Sequence, residues 1–264
     1  MIMTGNFIDF YPSLLPVKTA VSLVAHGLNQ KPDAMLSLVS WMTKQGSDVY
    51  LVKLSGHHKG GRDIQNVTAS VWQKEMLEGY QLAKRASLDA AVPIFFLGYS
   101  LGALLGQSMA VAMDSALFDK QVLIAPAIAI RSRSYLIKLL FFFGKQRHLP
   151  SFTPREYRVN KSLPLLIYDY LFTEERKILK SGFNKLNIPT LIIIDPKDEL
   201  VSYKKLLQLI SRFGLSNYRV VVLDDVKERS GAYHHLIVDE KTMGPKNWKM
   251  ATGAIGRFLF GDPG

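Results

Sequence analysis

The chain has 264 residues, 48% of them hydrophobic, enough for one sizeable core and a common length for a one-domain α/β protein. It contains no cysteine and carries a formal net charge of +11, which excludes a disulfide framework and a thiolate metal site. Its longest apolar runs fall far short of the roughly 20 residues that cross a bilayer, and MIMTGNFIDFYPSLLP lacks both a positive charge ahead of its apolar residues and a clear cleavage site, so no signal peptide is expected.

In chain order, apolar β-branched runs alternate with helical patterns. Ala20 to Gly27 (AVSLVAHG) reads as a buried strand, Asp33 to Gly46 as a helix closed by glycine, and Asp48 to Leu54 as the next strand. Ser70 to Ala86 reads as a helix in which Ser70 and Gln73 suit a capping box. VPIFFLG is a strand, and Leu101 to Met113 a small-residue helix able to pack close to a sheet. QVLIAP, PTLIIID and YRVVVLD are three more strands, the last two separated by the helix-like SYKKLLQLISRFG, and NWKMATGAIGRFLF closes the chain as a helix. This alternation predicts an α/β fold: a mostly parallel sheet with helices on both faces.

The pattern breaks between residues 127 and 186, which read as helices and loops inserted on the sheet. The expected organisation is therefore a core of residues 1–126 and 187–264 with a helical cap at 127–186. Arg131 to Lys161 holds eight Lys and Arg against one acid, Glu156, a net +7 within the chain's +11. Inside this segment, Tyr135 to Gly144 (YLIKLLFFFG) is apolar on nearly every side, unlike an ordinary surface helix.

Phe95 to Gly106 (FFLGYSLGALLG) places Ser100 between Gly98 and Gly102, after a strand and before a helix. A plain turn can have this composition, but the context is that of a nucleophile elbow. Flanking glycines remove clashing side chains, and the hydroxyl stands at the carboxyl end of a strand above a helix N-terminus. A serine hydroxyl needs a base, and the base an orienting acid. Asp195 and Asp198 follow one later strand; His234 and His235 follow the last. The order Ser, Asp, His suits this topology. His26-Gly27 ends an early strand, where a loop amide beside that of Leu101 would complete an oxyanion hole. The pair His57-His58 has no acid or cysteine at usual metal-site spacing, so those histidines read as solvated or structural. No metal or cofactor is expected.

With the Gly98-Tyr99-Ser100-Leu101-Gly102 elbow, His26-Gly27, the Asp198 loop and the final histidines in order, the sequence resembles the α/β-hydrolase superfamily over nearly its whole length. It is most similar to monoacylglycerol lipases and bacterial carboxylesterases that carry a helical cap. One departure is Ser55-Gly56-His57-His58-Lys59-Gly60-Gly61, where many relatives have Gly-His-Gly. The resemblance implies Ser100 as nucleophile, Asp198 as orienting carboxylate and His234 as general base, the last because histidine follows Ala-Tyr in similar lipase stretches. It implies Leu28 and Leu101 as the oxyanion donors. Asp195 would then fix its loop.

The expected activity is hydrolysis of a small-molecule carboxylic ester through an acyl-enzyme, with an apolar acyl group held by Tyr99, Leu136, Leu140, Phe141 and Phe142. Acyl transfer, thioester, amide or carbon–carbon cleavage on the same residues remain alternatives, as does a non-catalytic ligand-binding fold. The expected location is cytoplasmic. Arg131, Arg133, Lys138, Lys145 and Arg147 around the apolar cap element suit an anionic membrane surface. No recognition helix, zinc motif or RNA-binding signature accompanies the charge, so nucleic acid is not an expected partner.

Overall fold

The computed structural model describes residues 2–3, 7–58, 63–181, 184–223 and 233–261. In chain order the elements are β1 (Ile2–Met3), β2 (Ile8–Tyr11), β3 (Ala20–Ala25), α1 (Leu36–Lys44, entered through a 3₁₀ turn at Pro32–Met35), β4 (Ser47–Val52), α2 (Ala69–Ala90), β5 (Ile94–Tyr99), α3 (Leu101–Ala112) and β6 (Lys120–Ile124). A 3₁₀ segment, Ser132–Phe143, comes after β6, then β7 (His148–Pro150), β8 (Ser162–Pro164) and α4 (Leu165–Ser181). The chain ends with β9 (Thr190–Ile194), α5 (Tyr203–Arg212), β10 (Tyr218–Val222), α6 (Glu240–Met243) and α7 (Pro245–Phe260).

Eight strands form one sheet in the order β1-β2-β4-β3-β5-β6-β9-β10. From β4 to β10 all neighbours pair parallel, while β1 and β2 form an antiparallel edge. The mostly parallel α/β fold expected from the alternation is the fold observed. Strands covered on both sides are apolar on both sides, and β3, β5 and β9 are buried at every position. Successive side chains point to opposite faces. Ile94 and Phe96 thus join Trp72, Met76, Leu104 and Leu206 on one face, while Phe95 and Leu97 join Met35, Leu38, Ala251 and Ile255 on the other.

Several local expectations are corrected. Helix α2 begins at Ala69 after Thr68, with no side-chain cap; Ser70 lies inside it and Gln73 reaches across to Glu174 at 2.9 Å. A capping box does occur, unexpected, at Asp239 and Thr242. The antiparallel edge strands were also not anticipated, because two short runs near the start carry no clear period. The segment between β6 and β9 holds a 3₁₀ segment and a β7–β8 hairpin besides one long helix, α4. Two buried carboxylates of α4 fasten it: Glu174 accepts from Ser108 of α3, and Glu175 accepts from the Ile130 amide at 3.0 Å and pairs with Lys205 at 2.8 Å.

Candidate active site

Ser100 is the single residue between β5 and α3, and its backbone has φ 50° and ψ −109°. This region costs about 1–3 kcal/mol for a side chain with a Cβ. The surroundings impose it. The Ser100 amide donates to the Ile124 carbonyl at 2.9 Å, and its carbonyl accepts from Leu104 and Ala127. The two glycines are required by contact: a Cβ on Gly98 would lie 2.6 Å from Ala103 Cα, and one on Gly102 would lie 2.6 Å from the carbonyl carbon of Ala25. The bend therefore carries the hydroxyl to the carboxyl end of β5, where open α/β sheets form their crevices.

Two loops converge on it. His235 Nε2 lies 2.8 Å from Ser100 Oγ, and His235 Nδ1 lies 2.8 Å from Asp198 Oδ2. An ionised carboxylate only accepts, so Nδ1 carries the proton and Nε2 accepts from the serine. Asp198 is fully buried, and its other oxygen accepts from the Leu200 and Val201 amides at 2.7 and 2.8 Å. The chain of contacts runs Ser100–His235–Asp198.

The choice of His234 is corrected by this geometry. Its Nδ1 lies 2.9 Å from Asp195 Oδ2, and its side chain is 24% exposed against 6% for His235. Consecutive side chains diverge, so only one of the pair can face the serine. A signal for the right one lay in the apolar run after the pair: Leu236, Ile237 and Val238 are buried and seat His235 against the core. Of Ala232 and Tyr233, which guided the choice, Ala232 lies outside the described residues.

Leu28 follows His26-Gly27 at the end of β3 and lines the same cavity as Ser100. The loop is braced: Leu54 N–H donates to His26 Nε2 at 3.1 Å, His26 Nδ1 lies 2.9 Å from the Gly27 carbonyl, and the Gly27 amide donates to Gln30. Leu101 opens α3, so its amide has no intrahelical acceptor. Burial, then the neighbouring His57, holds the His26 imidazole well below its ordinary pKa. Burial lowers His57 to about 4. Both rings are neutral supports near neutral pH. Among the described residues no group of three or more His, Cys, Asp or Glu is placed to hold a metal ion.

The hydroxyl opens on a cavity of about 330 Å³ whose lining, among the described residues, contains no Asp, Glu, Lys or Arg. The ionisable groups among these described lining residues are His235 and the phenols of Tyr99, Tyr168 and Tyr233. Burial raises the Tyr99 phenol well above its ordinary value, so the hydroxyl stays protonated and donates to the His235 carbonyl at 3.0 Å. Of the residues expected to hold an acyl group, Tyr99 and Leu140 line this cavity; Leu136 and Phe142 face solvent at 64% and 91% exposure, and Phe141 packs against the core beside it. The reason is the helix type. A 3₁₀ segment repeats every three residues, so Ser134, Ile137 and Leu140 share the cavity face, while Leu136, Leu139 and Phe142 share the outer one. Ile137, Phe152 and Phe172 also line the cavity and were not anticipated.

A serine at the strand-to-helix bend of this sheet, joined to a histidine and an aspartate from the later loops, defines an α/β-hydrolase. Residues 16–165 match the model of the Hydrolase_4 family, described as serine aminopeptidase, S33, and the chain belongs to that family. No curated protein matches the sequence. Its fold is similar to solved structures at low identity. One is from work on the metagenome-derived lipolytic enzymes LipS and LipT, with 17% identity, TM-score 0.75 and 98% of each chain covered. Another is a soluble variant of the Saccharomyces cerevisiae monoglyceride lipase, with 12% identity, TM-score 0.78, and 96% of this chain and 89% of that one covered. A third is a Paleococcus ferrophilus monoacylglycerol lipase, with 16% identity, TM-score 0.70, and coverage of 96% and 97%. No helix among the described residues is long and apolar enough to cross a membrane.

Proposed function

We propose that the protein is a serine hydrolase cleaving carboxylic esters with an apolar acyl group. The observation that carries this is the Ser100–His235–Asp198 chain at the wall of a cavity whose described lining holds no Asp, Glu, Lys or Arg. Ser100 Oγ attacks the ester carbonyl as His235 Nε2 takes its proton, and Asp198 stabilises the resulting imidazolium. The amides of Leu28 and Leu101 receive the developing oxyanion, a contribution of about 3 kcal/mol for each donor. His235 returns the proton to the leaving alcohol, and water repeats the cycle on the acyl-enzyme.

The family's description as an aminopeptidase supplies a second reading. A free α-ammonium in a low-dielectric pocket needs a carboxylate partner, and the described lining residues offer none. That observation favours the ester. Labelling by a fluorophosphonate probe, lost in Ser100→Ala, together with turnover of p-nitrophenyl esters but not of aminoacyl p-nitroanilides, is the expected result. An unlabelled protein, or ester turnover retained by Ser100→Ala, would refute it.

Residues 127–186 act in this reading as a cap whose inner face forms the acyl site. Its outer face, with Leu136, Leu139, Phe142 and Phe143 exposed, would touch an anionic membrane, bringing a protein of the aqueous phase to lipid substrates. The basic residues around it are partly engaged: Arg131 and Arg133 donate to the carbonyls of Asp198 and Glu199, and Lys145 pairs with Asp169. Sedimentation with anionic vesicles at low and high salt tests this contact, and no binding at low salt would end it.

A further inference from the structure

The described residues around His235, 233–239, form neither strand nor helix, so no sheet or helix ladder holds its backbone. Its main chain is gripped by side chains instead. One carboxylate, Glu199, accepts from two consecutive amides: His234 N–H to Oε1 at 3.0 Å and His235 N–H to Oε2 at 2.9 Å. On the other side of the same residue, the Tyr99 hydroxyl donates to the His235 carbonyl at 3.0 Å. Glu199 is the sequence neighbour of Asp198, and Tyr99 is the sequence neighbour of Ser100. The peptide groups flanking His235 are thus held, N–H and C=O, by the residues adjoining the two groups that its imidazole must bridge.

From this arrangement we infer that Glu199 is a positioning residue for the hydrolytic site, with Tyr99 as its counterpart. The inference rests on the serine-hydrolase reading above. Glu199 does not touch the reacting atoms; it fixes the histidine loop to the acid loop. The acid loop is itself anchored, because Asp198 Oδ1 holds the Leu200 and Val201 amides and Arg131 Nε donates to the Asp198 carbonyl at 2.6 Å. A carboxylate suits the task for two reasons. Its two oxygens match two adjacent amides, and an ionised acceptor makes the stronger hydrogen bond. The His234–Asp195 pair adds a further tie between the same two loops. Without the Glu199 clamp the imidazole would sample positions away from Ser100, and a misplacement of about 1 Å can cost about 100-fold in rate.

The test compares wild type, Glu199→Ala, Glu199→Gln and Tyr99→Phe in p-nitrophenyl ester turnover, with active sites counted by fluorophosphonate titration. In Glu199→Ala, kcat per titrated site should fall roughly 10- to 100-fold while KM stays within about twofold. Glu199→Gln keeps one acceptor oxygen and should recover part of the loss; Tyr99→Phe should show a smaller fall of the same kind. A merely structural role would lower the titratable fraction and leave kcat per site unchanged. Values of kcat per site within about twofold of wild type in both Glu199 variants would overturn the inference. If Glu199→Ala does not fold, Glu199→Gln decides by the same criterion. A wild type that turns over the ester and is labelled at Ser100, beside unimpaired Glu199 variants, refutes the positioning role alone. A wild type that is not labelled refutes the serine-hydrolase reading and this inference with it.

Discussion

Replacing each of the two adjacent histidines separates the Ser100–His235–Asp198 geometry from its nearest rival. His235→Gln removes the base 2.8 Å from Ser100 Oγ while keeping an amide that can still donate to buried Asp198. Loss of the base should lower kcat by about 10⁴- to 10⁶-fold, equivalent to about 5–8 kcal/mol of barrier. His235→Ala should lose the same activity and also destabilise the fold by up to about 3–5 kcal/mol, because Asp198 would keep a charge without its partner. His234→Gln removes only the contact with Asp195. That ring is partly exposed, and such pairs are worth about 1 kcal/mol or less, so activity should stay within about fivefold. Steady-state ester hydrolysis, normalised by burst titration, reads these differences, and urea unfolding reads the stabilities. If His234→Gln lost about three decades while His235→Gln kept more than about a tenth of wild-type kcat, the assignment of the base would be refuted.

Gly102→Ala should destabilise the protein by about 3 kcal/mol or more and abolish activity, since the new methyl meets the backbone of β3, which cannot yield as a side chain would; an unchanged urea midpoint would contradict this. Ser100→Gly and Ser100→Ala should both be inactive, yet the glycine variant should be about 1 kcal/mol more stable because only it relieves the φ of 50°; equal midpoints would show that the bend stores no such strain. Buried His57 has its pKa lowered to about 4, whereas the unfolded chain titrates near 6.5. Between those values the unfolded chain binds a proton that the native state refuses, so stability is complete above about pH 6.5 and declines as pH falls toward 4. The full contribution is on the order of 3 kcal/mol, and His57→Gln should flatten that part of the stability–pH curve; identical slopes would refute it.

Much of the architecture was legible in one dimension because its cause is local. Runs such as Leu191 to Ile194 are apolar without alternation because both faces of a parallel strand are covered, and the glycines around Ser100 stand where backbone contact forbids a Cβ. The order of the serine, the aspartates and the histidines follows from the order of strand ends. Other features depend on contacts between distant segments. Apart from the apolar run Leu236 to Val238, nothing near His234 and His235 says which imidazole faces Ser100; that is decided by the seating of this run in the core and by Glu199 across the gap. The face of Ser132–Phe143 that lines the cavity follows from its threefold repeat, and an apolar run that suits several helix types does not declare one. Chain order could determine which residue types reach the same end of the sheet; only the packed loops decided which atoms meet, because hydrogen-bond geometry is settled over distances shorter than the offset between neighbouring side chains.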